Sequence, residues 1–287
     1  MCGVMAINKI ALYRQLFLNK LLEQLMFVDN KGVVNIADRS SATSKKIAKE
    51  LLTILGDSRC CEKPTGQSAG RIFAQLVKEF LEKSLAVLSH LRPIQWELKT
   101  ETEIFNFNQY EHLARLSELV KQVKELQPIM GADYLVKPDI VLFQHPLTDN
   151  DIGFTTNEEI PEIANLTPLR AVNNKTAHPL LQAIVSCKWT IRSDRAQNTR
   201  TEALNILRNR KGRTPCITAI TAEPLPSRIA SLAFGLGDLD CVYHFALPEL
   251  QNAVTKANLK DQLEVLQVMI EGKRLRDVGD LPFDLII

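Results

Sequence analysis

Apolar residues recur at three- and four-residue spacing through most of the first half of the chain, and in short unbroken runs through the second. Residues 8 to 28, "SKKIAKELLTIL" at 44 to 55, "RIFAQLVKEFLEKSLAVLSHL" at 71 to 91 and the segment 108 to 126 carry the helical period. They predict amphipathic helices, with Ser44 as the N-cap of the second. Loops such as "NIADRSSATS" at 35 to 44 and "KPTGQSAG" at 63 to 70 lie between them. After residue 130 the pattern changes. "LVKPDIVLF" at 135 to 143, "LLQAIVSCKW" at 180 to 189, "CITAIT" at 216 to 221 and "CVYHFA" at 241 to 246 are short, rich in β-branched residues and bounded by proline or polar positions, which predicts strands. Helices fit at about 195 to 210, 227 to 234 and 247 to 271. The polar stretch 145 to 178 is long for a loop and is expected to hold short elements of its own. Strands alternating with helices predict an α/β chain built on a central sheet flanked by helices. It reads as one domain over 1–287, with a mostly helical part over about 1–130 and a sheet-bearing core over about 131–287.

Composition narrows this little: 45% hydrophobic and 24% charged residues are ordinary for a globular protein. The apolar N-terminus is interrupted by Lys9, Arg14, Lys20 and Glu23 at helical spacing, so it reads as an amphipathic helix rather than a signal. No apolar run approaches the roughly 18 residues of a membrane span. A soluble, unsecreted protein is the expectation. The six cysteines (Cys2, Cys60, Cys61, Cys187, Cys216, Cys241) contain no C-x-x-C pair and two are adjacent, which suits reduced thiols better than a disulfide framework. The five histidines show no ligand spacing. "GLGDLD" at 235 to 240 lacks the full dinucleotide fingerprint and precedes a strand, so it reads as a turn.

Charge is more informative by position than in total. Between Ser186 and Arg213 stand eight basic residues and two acidic ones, a local +6 in a chain whose sum is +2, so the remainder carries −4. Such a segment is the footprint expected for a polyanion ligand.

Three side chains suggest the chemistry. Asp139 follows Pro138 at the start of one predicted strand, and Lys188 ends the next, so neighbouring strands can present both at one rim. Alone, the pair reads equally well as a simple ion pair. Glu202, 14 residues past Lys188 on the following helix, can turn its carboxylate toward Asp139. Two converging carboxylates repel unless a cation stands between them, and for oxygen ligands that cation is Mg²⁺. The chemistry implied is phosphodiester hydrolysis: the metal activates water and shields the phosphate, while Lys188 orients the nucleophile or stabilises the pentacovalent transition state. Just beyond, Arg192, Asp194 and Arg195 pair two guanidinium groups with one carboxylate. Arginine suits guanine O6 and N7, and aspartate suits cytosine N4, in the major groove. The competing reading is a solvated helix start with Asp194 as N-cap. Alternation along the strand points the Cys187 side chain away from Ser186 and Lys188.

"PD" at 138 to 139, "SCK" at 186 to 188 and Glu202 resemble the PD-(D/E)XK nucleases, in the variant where Ser186 replaces the usual acid and the helix supplies the carboxylate. Longer blocks resemble the NgoMIV-like type II restriction endonucleases, the CCGG-core family: "SCKWTIRSDRAQN", "RNRKGR" at 208 to 213, "TAEPLPSRI" at 221 to 229, "DCVYHFAL" at 240 to 247 and "GKRLRDVGDLPFDL" at 272 to 285, with "GVVNIADRS" and "GQSAG" matching more weakly. The resemblance implies a restriction-endonuclease-like fold with a central mixed β-sheet. It implies Asp139, Lys188, Glu202 and Ser186 as catalytic residues, and Mg²⁺ held by Asp139, Glu202 and the backbone carbonyl of Cys187. It further implies that Arg192, Asp194 and Arg195 read CCGG and that Gln67 and Ser40 touch the flanking pair. The expected site in double-stranded DNA is GCCGGC, cut after the first G to leave four-base 5′ overhangs, by a homotetramer arranged as a dimer of dimers. One position departs from the family: the helix after "GQSAG" carries Ala74 where an additional glutamate is expected, with Glu79 further along. That departure keeps open a protein of the same fold that binds DNA with impaired cleavage or none.

Overall fold

The computed structural model describes residues 2–60, 62, 64–123, 128, 135–153, 164–174, 176–235 and 237–287, with side chains except at 2–8 and 193–195. Six strands form a mixed sheet in the order β1 (Glu97–Thr100), β2 (Ile140–Gln144), β3 (Leu180–Lys188), β4 (Cys216–Thr221), β5 (Cys241–His244) and β6 (Leu275–Asp277). β1 and β2 are antiparallel, with Glu97 opposite Phe143 and Thr100 opposite Ile140. β4, β5 and β6 are parallel, as strands joined by helical crossovers must be. Helices flank this sheet.

The chain divides into two compact units. The first comprises Met1–Pro93, Val185–Thr201 and Ile217–Ile287; the second comprises Ile94–Ile184 and Glu202–Cys216. In the first unit, helix α1 (Cys2–Gln24) packs on α3 (Gly66–Leu88), with Phe17 and Phe80 in ring contact at 5.6 Å. Arg14 of α1 forks between Glu249 (2.7 Å) and Asp277 (2.7 Å), fixing the helix to the β6 end of the sheet. In the second unit, α4 (Glu111–Gln122) buries Leu113 and Val120. Buried Gln109 there exchanges two hydrogen bonds with the backbone of Leu181 at the head of β3. Helix α5 (Ser193–Asn209) begins in the first unit and ends in the second, as β3 runs the other way.

Several elements differ from the sequence-based expectations. The second helix, α2 (Ala42–Leu55), starts earlier, and its N-cap is Ser41, whose Oγ accepts from the Ser44 N–H at 3.1 Å. Ser44 lies inside the first turn, buried, its Oγ accepting from the Asp38 N–H at 3.0 Å. β2 begins only at Ile140, since Pro138 has no N–H to pair. The helix expected over 247 to 271 is two: α7 (Leu247–Lys256) and α8 (Lys260–Glu271), parted at Asn258, which adopts φ +53°, a conformation asparagine tolerates. α6 (Pro226–Ala233) opens with proline in its first turn. Strands β1 and β6 were not expected. Within the long polar stretch, Leu147 bridges to Arg170, whose guanidinium pairs with Asp149 at 2.6 Å, and Ala171–Asn173 forms a 3₁₀ turn.

Candidate functional site

β3 is apolar because it is covered on both faces: from Leu181 to Cys187 only Gln182 is more than slightly exposed. It ends at Lys188, which is half-buried, after buried Ser186 and Cys187. The Lys188 carbonyl accepts from the Ala222 N–H at 3.3 Å, just past the end of β4. Trp189 then turns inward and meets Phe73 of α3 edge-on at 5.3 Å. The strand therefore stops at Lys188, with its neighbour anchored in the core. Asp139 is half-buried and sits one residue before β2, its carbonyl accepting from the Glu101 N–H at 3.3 Å. Glu202 is half-buried in α5. Asp139, Lys188 and Glu202 each make a polar or electrostatic interaction. Asp139 and Glu202 belong to the second unit; Ser186, Cys187 and Lys188 belong to the first. Among the described residues, no three His, Cys, Asp or Glu side chains cluster closely enough to hold a metal.

Arg192 is exposed, three residues beyond the inward-facing Trp189. Its carbonyl accepts from the Ala196 N–H at 2.9 Å, so the helical hydrogen bonds of α5 begin there and Asp194 lies inside the first turn rather than at the cap. The side chains of Asp194 and Arg195 lie outside the described residues. Gln67 is exposed in the first turn of α3, which is capped by Thr65. Ser40 is exposed and donates through both N–H (2.9 Å) and Oγ (2.7 Å) to Asp38.

The structure adds three polar residues that sequence reasoning did not single out. Asp38 is ion-paired with Arg228, and the hydrogen bonds from Ser40 hold its carboxyl below the usual carboxylate range. Arg228 also reaches the Ile191 carbonyl at 3.4 Å. Glu223, fully buried, accepts from the N–H groups of Ile191 (3.0 Å) and Leu225 (3.2 Å). Burial pushes its carboxyl up to about 7, against the opposing pull of those two N–H groups and of Arg228. Asp38 and Arg228 are 190 positions apart, and no local spacing connects them. Ala74 is buried in α3, and Glu79 is engaged by Lys20 at 2.6 Å.

The family model described as NgoMIV restriction enzyme matches residues 17–287. The type II restriction enzyme NgoMIV of Neisseria gonorrhoeae is 42% identical over 280 residues, covering 96% of this chain and 97% of its own. A solved complex of restriction endonuclease PspGI with substrate DNA aligns over 98% of this chain and 90% of that one, with a TM-score of 0.31 and 13% identity, too slight a likeness to bear on the site. By the first two matches, the chain belongs to the NgoMIV family of type II restriction endonucleases.

Proposed function

We propose that the protein cleaves double-stranded DNA at GCCGGC, after the first G, leaving four-base 5′ overhangs, with Mg²⁺ as cofactor and as a tetramer of two dimers. The observation that carries this reading is the end of β3, where half-buried Lys188 is followed within four residues by exposed Arg192 at the head of α5. A phosphate-directed ammonium and a base-directed guanidinium thus leave adjacent points of one unit. The likeness to a type II restriction enzyme over almost the full length of both chains supports the same reading.

In this assignment Asp139 and Glu202 hold the ion together with the Cys187 carbonyl, an all-oxygen set that suits hard Mg²⁺ better than a softer metal. When bound, the ion supplies charge neutralisation at the phosphate and a more acidic water. Lys188 contributes a fixed positive charge beside the pentacovalent phosphorus, where negative charge grows as the water oxygen attacks and the bond to the leaving oxygen breaks. Ser186 keeps the strand end small and uncharged, leaving the second carboxylate to Glu202. Arg192, Asp194 and Arg195 read the CCGG core by bidentate contacts from arginine to guanine and by aspartate to cytosine, while Gln67 and Ser40 face the flanking pair. A palindromic target calls for two-fold related chains.

Ala74 favours one second reading: a protein of this family that binds its site but cuts it poorly, because position 74 of α3 carries a buried methyl group in place of a carboxylate. Plasmid DNA incubated with the protein and Mg²⁺, followed by sequencing of the ends, separates the two. Discrete ends at one hexamer are expected. Retention of the plasmid without cleavage favours the second reading, and random ends contradict both.

A further inference from the structure

Glu223 stands two residues past the end of β4 with no solvent exposure. A buried carboxyl is costly unless its oxygens are bonded, and here each oxygen accepts from a backbone N–H. One donor, Leu225, is local. The other, Ile191, is 32 positions away and lies in the short link between Lys188, which ends β3, and Ser193, which opens α5. That link is neither strand nor helix, so no ladder supplies a partner for the Ile191 N–H. The other face of the same residue is held too, because Arg228 donates to the Ile191 carbonyl. Both polar groups of Ile191 are therefore met by side chains from one segment, 223–228, and its own side chain is buried.

We propose that Glu223 is a positioning residue for sequence recognition: its carboxyl group fixes the link between Lys188 and Arg192, so that Arg192 leaves the surface in a single orientation. This rests on the reading of Arg192 as a base-contacting residue. Bidentate contact to guanine tolerates little angular error, so freedom in the residue just before Arg192 degrades discrimination before it degrades general attraction to phosphate. Burial raises the Glu223 carboxyl to about 7, while the hydrogen bonds from the Ile191 and Leu225 N–H groups pull the other way and favour the form that accepts at both oxygens. The contacts involved, Ile191, Leu225 and Arg228, all lie in the first unit.

Glu223→Gln tests this in the full chain. The amide keeps one acceptor oxygen and sets an NH₂ against the second backbone donor. The readout is the ratio of dissociation constants for a GCCGGC duplex and a scrambled duplex of equal length, with Ca²⁺ in place of Mg²⁺ to hold back cleavage. The expected result is a loss of cognate affinity of about tenfold, equivalent to roughly 1.4 kcal/mol, with scrambled-duplex affinity unchanged. An unchanged ratio, or an equal loss on both duplexes, in a variant that still melts cooperatively overturns the proposal. If Glu223→Gln does not fold, the same ratio on Glu223→Asp decides by the same criteria, since a shorter stem withdraws both acceptors without adding a donor. Arg192→Ala is the control. If it leaves the ratio intact, or the natural chain itself shows none, the recognition reading fails rather than the role of Glu223.

Discussion

At the scale of single residues, two buried titratable groups set opposite pH dependences. Glu223 is raised from 4.5 to about 7 by burial, so its folded state disfavours the charged form. Its contribution is fully present below the unfolded value and is lost as pH rises toward 7. His244, with no exposure, is lowered by burial from 6.5 to about 4. It is held neutral, so stability is lost as pH falls from 6.5 toward 4. Each shift corresponds to about 3 kcal/mol across its window. Between about pH 5 and 6.5 the two nearly cancel. Thermal melting over that range should therefore show a melting temperature that rises more steeply with pH for Glu223→Gln than for the natural chain. Identical slopes in the two would contradict the assignment. Neither group was legible beforehand: Glu223 and His244 sit in segments whose letters mark a turn and a strand, and only packing removes their water. Lys188 was legible, because an apolar run that ends on a lysine announces where the strand meets solvent. Arg192 was singled out by its company, two arginines and one aspartate within four residues at the start of a predicted helix.

At the scale of elements, length and uniform burial decided what could be read. β3, nine residues and almost wholly buried, stands where its apolar run predicts, whereas β1 and β6, at four and three residues, carry no alternation long enough to mark them. Pairing with β2 and β5 places those two strands, and pairing across the sheet is not written in a short stretch of sequence. The break between α7 and α8 is similar: apolar spacing continues across it, and a single left-handed Asn258 redirects the chain. Capping is local and therefore testable at this scale. Ser41, not Ser44, receives the helix N–H, so Ser41→Ala should lower stability by about 1 kcal/mol, read by urea denaturation with unchanged slope. No loss would mean that the hydroxyl is exchanged for water without cost. The site residues follow the same rule as the elements. Lys188 and Glu202 could be placed on their elements from periodicity and Asp139 one residue short of its strand, while the contacts of Ile191 with Glu223 and Arg228 bridge distant segments and required the fold.

At the scale of the molecule, the family match covers nearly the full chain, and so takes in the sheet, its flanking helices and the basic segment from Ser186 to Arg213. The +6 charge concentrated between Ser186 and Arg213 is a substantial attraction for a DNA backbone, but it confers no sequence choice and no chemistry. Those must come from particular side chains, which in the function proposed above stand at adjacent positions: recognition at the start of α5, cleavage at the end of β3. The two roles should therefore separate by mutation. The most direct measurement is gel retention and cleavage of one GCCGGC duplex by Lys188→Ala beside the natural chain, with Mg²⁺ for cutting and Ca²⁺ for binding. Retention within a few-fold of the natural chain is expected, with cleavage slower by at least about 100-fold, the scale of losing one preorganised transition-state charge. Cleavage at an undiminished rate would contradict the proposed function, as would loss of binding together with cutting.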